Sequence, residues 1–378
     1  MHERQVVVPS DHLTVVDFGD GVAVYDAATE TTFVLGPLAG WLVTMPRPSD
    51  VSALVEEFVA HGHLGRDDAY DLVRDAVTTL NASGLVNRSG AETVPAEAIT
   101  SSCRTPGLPY VGAAHQMLER IISFRSNSES DLVRIDQMMG AVAVAEQPPT
   151  DYIDVEIRGD GRVIVEADGT WDFPSWDGFA AQLHHVVGDY PVDAQTMLCL
   201  HAGAVRTPNS EIIVVAGESE AGKSTMVAAL VAAGCDYLGD EHVGVLEGSI
   251  VAVGCPRPLR LDARSRQILG IPDELALPSG VVPPEVLREN ATSLNGPTRP
   301  VSRVILPRFD PDAAVEVERL LPVDALKATA GLVFNLGRAP GVAMRTLAQL
   351  CEQVPFEVVR YPGVVHAVER ILSADRVR

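Results

Sequence analysis

One stretch restricts what this chain can fold into more than any other: Gly217-Glu218-Ser219-Glu220-Ala221-Gly222-Lys223-Ser224-Thr225. Two glycines enclose four residues and are followed by Lys and a pair of hydroxyls, the pattern of a phosphate-binding P-loop. Before it, Ile212-Ile213-Val214-Val215 is a β-branched apolar run suited to a buried strand. After it, Met226 to Ala233 is rich in Ala, Leu and Val and stops at Gly234, a natural helix end. Strand, glycine loop and helix in that order commit this part of the chain to an α/β architecture.

The residue types state the chemistry. Glycines let the backbone turn successive N–H groups inward around an anion, and the helix N-terminus adds its partial positive charge. Lys223 can reach the β- and γ-phosphates, and the Ser224 hydroxyl can ligate Mg²⁺. The whole run, Gly217, Glu218, Ser219, Glu220, Ala221, Gly222, Lys223, Ser224 and Thr225, is read as the site for a nucleotide's phosphates with Mg²⁺.

A chain of 378 residues has room for two or three domains. Its net charge of −22 argues against a nucleic-acid partner, because phosphate contacts need clustered Lys and Arg. No apolar run approaches the roughly 20 residues of a membrane span. Met1-His2-Glu3-Arg4 is followed by a few apolar residues and then Pro9 and Asp11, so no secretory signal is visible and a cytoplasmic location is expected. The five cysteines lie far apart with no C-x-x-C pair, which suggests buried thiols rather than a disulfide framework or a zinc site.

Residues 1–88 read as a separate module. Val22 to Tyr25 and Thr31 to Leu35 predict two strands around a turn at Asp26 to Glu30, and a short helix can begin at Pro37. Val51, Leu54, Val55, Phe58 and Val59 repeat at helical spacing up to Gly62. A second helix carries Ala69, Leu72, Val73, Ala76, Val77 and Leu80 on one face and closes at Gly84. This order, with Val24-Tyr25-Asp26, Thr32-Phe33-Val34-Leu35 and the closing Leu80 to Val86, resembles the PqqD-like, winged-helix-type peptide-recognition domains. The resemblance implies an α+β domain that holds the leader of a ribosomally made precursor peptide, added as a strand beside the hairpin. Where that family often has Asn before the short helix, this chain has Gly36.

Residues 89–109 read as a Gly-, Pro- and Ser-containing linker, and 110–378 as the second domain. There, Ile153, Val155 and Ile157 alternate with charged residues up to the turn Gly159-Asp160-Gly161 and then Val163-Ile164-Val165, an antiparallel hairpin signature. A helix is expected from Trp176 to Val187; its adjacent His184 and His185 point to different faces and do not make a metal pair. Ile271 to Pro300 reads as a loop or lid over the acceptor, followed by strands at Val301 to Leu306 and Phe356 to Tyr361 and a helix at Val364 to Leu372.

A P-loop needs a second, acidic element. Asp240 and Glu241 follow Lys223 by one helix and one strand, which places both carboxylates at a strand end facing the loop, where a carboxylate can hold Mg²⁺ or take a hydroxyl proton. Arg257 and Arg260 are the nearest arginines able to offset charge on a transferred phosphoryl group.

Leu200-His201-Ala202-Gly203-Ala204-Val205, the P-loop and Tyr237-Leu238-Gly239-Asp240-Glu241 resemble the core of the HPr serine kinase C-terminal family, from about residue 130 to 378. The resemblance implies a P-loop kinase core of the HPr kinase/PEP-carboxykinase-like type with a mixed sheet. It implies Asp240 as base toward an acceptor hydroxyl, Glu241 as an aid to metal binding, and His201, 22 positions before Lys223, as the active-site histidine. Glu220 and Ala221 replace the glycine-containing middle of that family's loop, Glu241 replaces its second Asp, and its E-I-R-G-L-G segment is absent, so HPr itself is not the expected substrate. The chain looks more like the related proteins of peptide-modification systems. No N-K-x-D or L-S-G-G-Q accompanies the loop, which sets aside GTPases and ABC-type ATPases.

The expectation is an ATP-dependent kinase that phosphorylates a hydroxyl, or a carboxylate, on a ribosomally made peptide, working with partner modifying enzymes and as a homo-oligomer. Two other readings share the P-loop: a kinase for a free amino acid or sugar, and a nucleotide-switched peptide chaperone that transfers nothing.

Overall fold

The structure, a computed structural model, describes residues 6–7, 10, 12–19, 21–45, 49–61, 66–86, 108–144, 147–166, 169–277 and 280–373. The expected helix stop at Gly62, the linker up to residue 107, Cys103 and the side chains of His184 and His185 lie outside it. The chain divides into two compact units, Met1–Ala96 with Leu326–Gly331 and Glu97–Ala325 with Leu332–Arg378.

The first unit is an antiparallel meander of β1 (Leu13–Phe18), β2 (Gly21–Asp26) and β3 (Thr31–Leu35), followed by α1 (Pro37–Val43), α2 (Val51–His61) and α3 (Arg66–Ala82). The turn after β2 is an Asx turn: the buried Asp26 carboxylate accepts from Ala28 N and Thr29 Oγ1. Val22, Val24, Leu42, Leu54, Val73, Val77 and Leu80 fill one core. Strand β1 was not read from the sequence; its Leu13 and Val15 are only partly buried, so its alternation is weak. Leu72, placed on the buried face of α3 by periodicity, is 47% exposed, and α3 buries a narrower stripe through Ala69, Val73, Val77 and Leu80.

The second unit is mixed α/β with mixed sheets. Its six-stranded sheet runs β9-β8-β7-β5-β4-β6, from β4 (Tyr110–Met117), β5 (Arg120–Ser126), β6 (Ala143–Val144), β7 (Asp151–Arg158), β8 (Gly161–Glu166) and β9 (Gly169–Phe173). The expected hairpin is β7–β8. α4 (Glu129–Met139) and α5 (Trp176–Val192) cover it with Leu132, Ile135, Phe179, Leu183 and Val187. α5 extends one turn beyond the expected Val187 and takes Pro191 into its last turn.

The other sheet is built on β10 (Met197–Arg206), β11 (Ile212–Ala216), β12 (Asp236–Gly239), β13 (His242–Leu246), β14 (Val251–Gly254), β17 (Gly296–Phe309), β18 (Glu316–Arg319) and β19 (Phe356–Tyr361), with the two-residue pair β15 (Leu259–Arg260) and β16 (Val281–Val282) beside it. Two of these strands change partners halfway. β10 pairs with β13 through Met197 to His201, then with β11 and β12 through Ala202 to Arg206. β17 pairs with β14 through Gly296 to Pro300, then runs parallel to β11 and β19 from Val301 on. α6 (Lys223–Ala232) packs on the sheet through Met226, Val227 and Leu230, and α10 (Val364–Ser373) lies in the same core through Val364, Ala367, Val368 and Ile371; α7 (Ala263–Leu269), α8 (Pro284–Leu287) and α9 (Pro340–Gln353) complete the helices used below.

The stretch expected to be a lid is part of the body of the fold. Val281 and Val282 are fully buried, and Tyr237 of β12 exchanges backbone hydrogen bonds with Thr292 and Leu294. Its described prolines stand at the starts of short helical turns, at Pro272, Pro283 and Pro284, or within β17, at Pro297 and Pro300; opening the segment would expose those apolar side chains and unpair Tyr237.

Candidate functional site

The site forms where β10 leaves one set of partners for the other. His201 is the last residue of β10 paired with β13, and Ala202 the first paired with β11. Asp240 and Glu241 are the two-residue link from β12 to β13, crossing at the same place, with Ala202 N donating to Glu241 O. Strands that part in this way leave a crevice beyond their ends, the usual place for a ligand in an α/β sheet. Gly203 is required here: a Cβ on it would stand 2.5 Å from Val227 Cγ2 of α6 and 3.1 Å from Asp240 Oδ1.

β11 delivers the chain into the P-loop, and α6 begins at Lys223 with Gly222 as an N-cap in left-handed backbone, φ 90°. No side chain caps this helix, so its first N–H groups face the loop. Lys223 is buried and donates from Nζ to Glu218 O at 3.0 Å. Its pKa is lowered by burial, against the pull of Glu241 and Asp240. Thr225 Oγ1 meets Ser265 Oγ at 2.8 Å, tying α6 to α7. Glu220 and Glu241 adopt left-handed backbone, φ 66° and 78°, which costs a non-glycine residue about 1–2 kcal/mol. Such strain is retained where a side chain must be aimed.

Glu241 is aimed at His201: the two lie 3.0 Å apart, Nε2 to Oε2. That hydrogen bond holds the Glu241 carboxyl well below its ordinary pKa, leaving Oε1 for a further ligand. Asp240 is different. It is 3% exposed, and neither carboxylate oxygen has a hydrogen-bond partner. Ser224 lies near enough to draw its pKa down without closing a hydrogen bond, but burial first and the neighbouring Glu241 second dominate and push it up to about 6. In protein free of nucleotide and metal, Asp240 should therefore be ionised above about pH 6 and protonated below. Carboxyl-carbon NMR checks this, with the assigned signal missing in Asp240→Asn; a midpoint at the ordinary 3.8 would contradict it.

Arg257 is buried, and its Nη2 contacts His242 Nδ1 at 2.8 Å. Burial first, and Arg257 second, keep the His242 pKa well below its ordinary value, so at neutral pH the ring accepts the arginine's hydrogen bond. Arg260 is exposed on β15. Two cavities open here. One of about 460 Å³ is lined by Asp240, Glu241, His242, Arg257, Arg260 and Phe334. The other, about 690 Å³, is lined by His201, Glu241, Arg260 and the loop from Ser219 to Thr225. Ser219, Glu241 and Arg260 border both.

Every residue proposed from sequence thus falls in or beside one crevice, but three contributors were not read. His242 directly follows the acidic pair, and no motif marks it. Phe334 lies between the rings of His201 and His242, 5.0 Å from each. Asn335 holds it there: fully buried, its Oδ1 accepts from Cys199 N, and its Nδ2 donates to Ala194 O and Met197 O. Val333 bridges Leu200, and Phe334 N donates to Cys199 O. Nothing in the sequence near 333–335 signals this, since the partners are more than 130 positions away.

The residues fit a polyphosphate ligand: an uncapped helix N-terminus, a buried lysine and an unpartnered buried carboxylate converge. Among the described residues no three His, Cys, Asp or Glu gather into a metal cage. The Ser224 hydroxyl and Asp240 carboxylate suit Mg²⁺, which takes few protein ligands and completes its shell with water and phosphate. No helix among the described residues is long and apolar enough to cross a membrane. No family model matches the sequence, and no curated protein matches it. Among solved structures the chain is similar to the HPr(Ser) kinase/phosphatase from Coxiella burnetii, with 12% identity and a TM-score of 0.28, over 47% of this chain and 96% of that one; a likeness of that size carries no argument about activity.

Proposed function

We propose that this chain is an ATP-dependent phosphotransferase whose acceptor is a hydroxyl presented in the 460 Å³ cavity. The observation that carries the reading is Asp240, buried with both oxygens unpaired, beside Lys223 and Ser224 on one side and the smaller cavity on the other. When bound, the nucleotide supplies the phosphoryl group and Mg²⁺ offsets its charge. The chain's own part is positioning and charge. The loop N–H groups and Lys223 hold the phosphates, Asp240 takes the acceptor's proton, and Arg260 faces the place where both cavities meet. His201 and Phe334 hold Glu241 and His242 still.

We further propose a peptide acceptor whose leader is captured by the first unit, as the PqqD-like resemblance implies. The outer strands of its meander, β1 and β3, pair on one side only among the described residues, which suits strand addition. A small acceptor is the second reading, favoured by the modest size of the cavity. The test incubates the full chain with γ-labelled ATP and a precursor peptide encoded beside its gene, with and without the leader. Label should enter the full peptide, with kcat/KM at least tenfold below it for the leaderless peptide, because tethering raises effective concentration. Equal kcat/KM for both would remove the leader proposal, and ATP hydrolysis without a labelled product would remove the kinase.

A further inference from the structure

We infer that the 690 Å³ cavity carries a nucleobase subsite on Phe309, which reads the base by stacking rather than by hydrogen bonds. The inference rests on the nucleotide reading of the P-loop and goes beyond it. Both cavities touch the loop at Ser219, but only the larger is lined by Gly222 to Thr225, where phosphates would sit. A nucleoside attached to those phosphates therefore leaves through the larger cavity, while Asp240 lines the smaller.

The topology agrees. β11, β17 and β19 are parallel neighbours, so the carboxyl ends of all three open on one side. The carboxyl end of β11 runs into the P-loop. Those of β17 and β19 present Phe309 and Tyr361, which are paired in register, and Pro362 and Gly363 then lead into α10. Ligands of such sheets lie across adjacent carboxyl ends. Tyr361 is buried against the loop, its hydroxyl 2.9 Å from where a Gly222 Cβ would stand. Phe309 is 48% exposed and Ile268 of α7 51%, both on the cavity wall. Two large apolar side chains on the wall of the cavity that also holds the phosphate loop offer a flat apolar ligand a surface to cover.

The polar groups nearest Phe309 are partly engaged within the protein or only donate. Ser265 is engaged with Thr225, and the Asp262 carboxylate caps α7 by accepting from Ser265 N. Arg264 lies over the Phe309 ring, 5.8 Å from its centroid. It donates only, and both purines offer N7 as an acceptor. Adenine and guanine nucleotides should bind alike.

Calorimetry on the full chain tests this with ATP, GTP and inorganic tripolyphosphate, which has no base. The wild type should bind ATP and GTP within about tenfold of each other. Phe309→Ala should weaken both by about ten- to a hundredfold, the range for losing one base–aromatic stack, and leave tripolyphosphate within twofold. Phe309→Trp should restore both nucleotides. Unchanged nucleotide affinity in Phe309→Ala, an equal loss for tripolyphosphate, or a strong ATP preference in the wild type would each overturn the subsite while leaving the P-loop intact. A wild type that binds neither ATP nor tripolyphosphate would instead overturn the nucleotide reading, and the subsite with it.

Discussion

Asp240→Asn should lower kcat for phosphoryl transfer by about a thousandfold, within the range a positioned general base supplies, while ATP affinity measured by calorimetry stays within a few fold. The substitution keeps the shape of the side chain and removes its ability to take a proton. It also removes a buried carboxylate without hydrogen-bond partners, so the variant should melt no lower than the wild type. That separates a catalytic loss from an unfolded protein. Lys223→Ala should do the opposite and lose ATP binding first, because Lys223 is the buried cation of the loop. An Asp240→Asn enzyme with normal kcat would end the assignment of Asp240 as base.

Asn335→Leu should destabilise the second unit by about 4 kcal/mol, since three backbone groups lose their partner at roughly 1–3 kcal/mol each. The melting temperature should fall by about 10 °C, and the acceptor KM should rise as Phe334 loses its seat. Phe334→Ala isolates the second effect: Phe334 is 36% exposed, so its loss should alter acceptor kinetics with little change in melting. Equal melting of Asn335→Leu and wild type would show that the buried amide does not pin this segment.

The parts legible in the sequence were those written within a few residues. The β-branched run Ile212 to Val215, the glycine loop and the Ala-rich helix to Gly234 appear as β11, the P-loop and α6, because each is set by local backbone chemistry. β7–β8, β19 and α10 were read for the same reason. Where patterns were weak or mixed, the reading failed. Leu72 fits a helical stripe but is half exposed; β1 alternates too faintly to announce a strand; and the Pro, Gly and Ser residues of 271–300 suggest a loop or lid where the chain is pinned by Tyr237.

For the site, the sequence by itself determined which groups are candidates for chemistry: the loop, Lys223, Ser224, His201 and the Asp240–Glu241 pair. Only the tertiary structure decided what each is ready to do. Asp240 and Glu241 are neighbours of the same type. The partner exchange of β10 leaves one buried with unpartnered oxygens and a raised pKa, and the other against His201 with a lowered one. The physical reason is that desolvation and pairing depend on what surrounds a side chain. Those surroundings, Phe334, Asn335, His242 and Phe309 among them, are brought in by strands that are distant in sequence and meet only in the folded sheet.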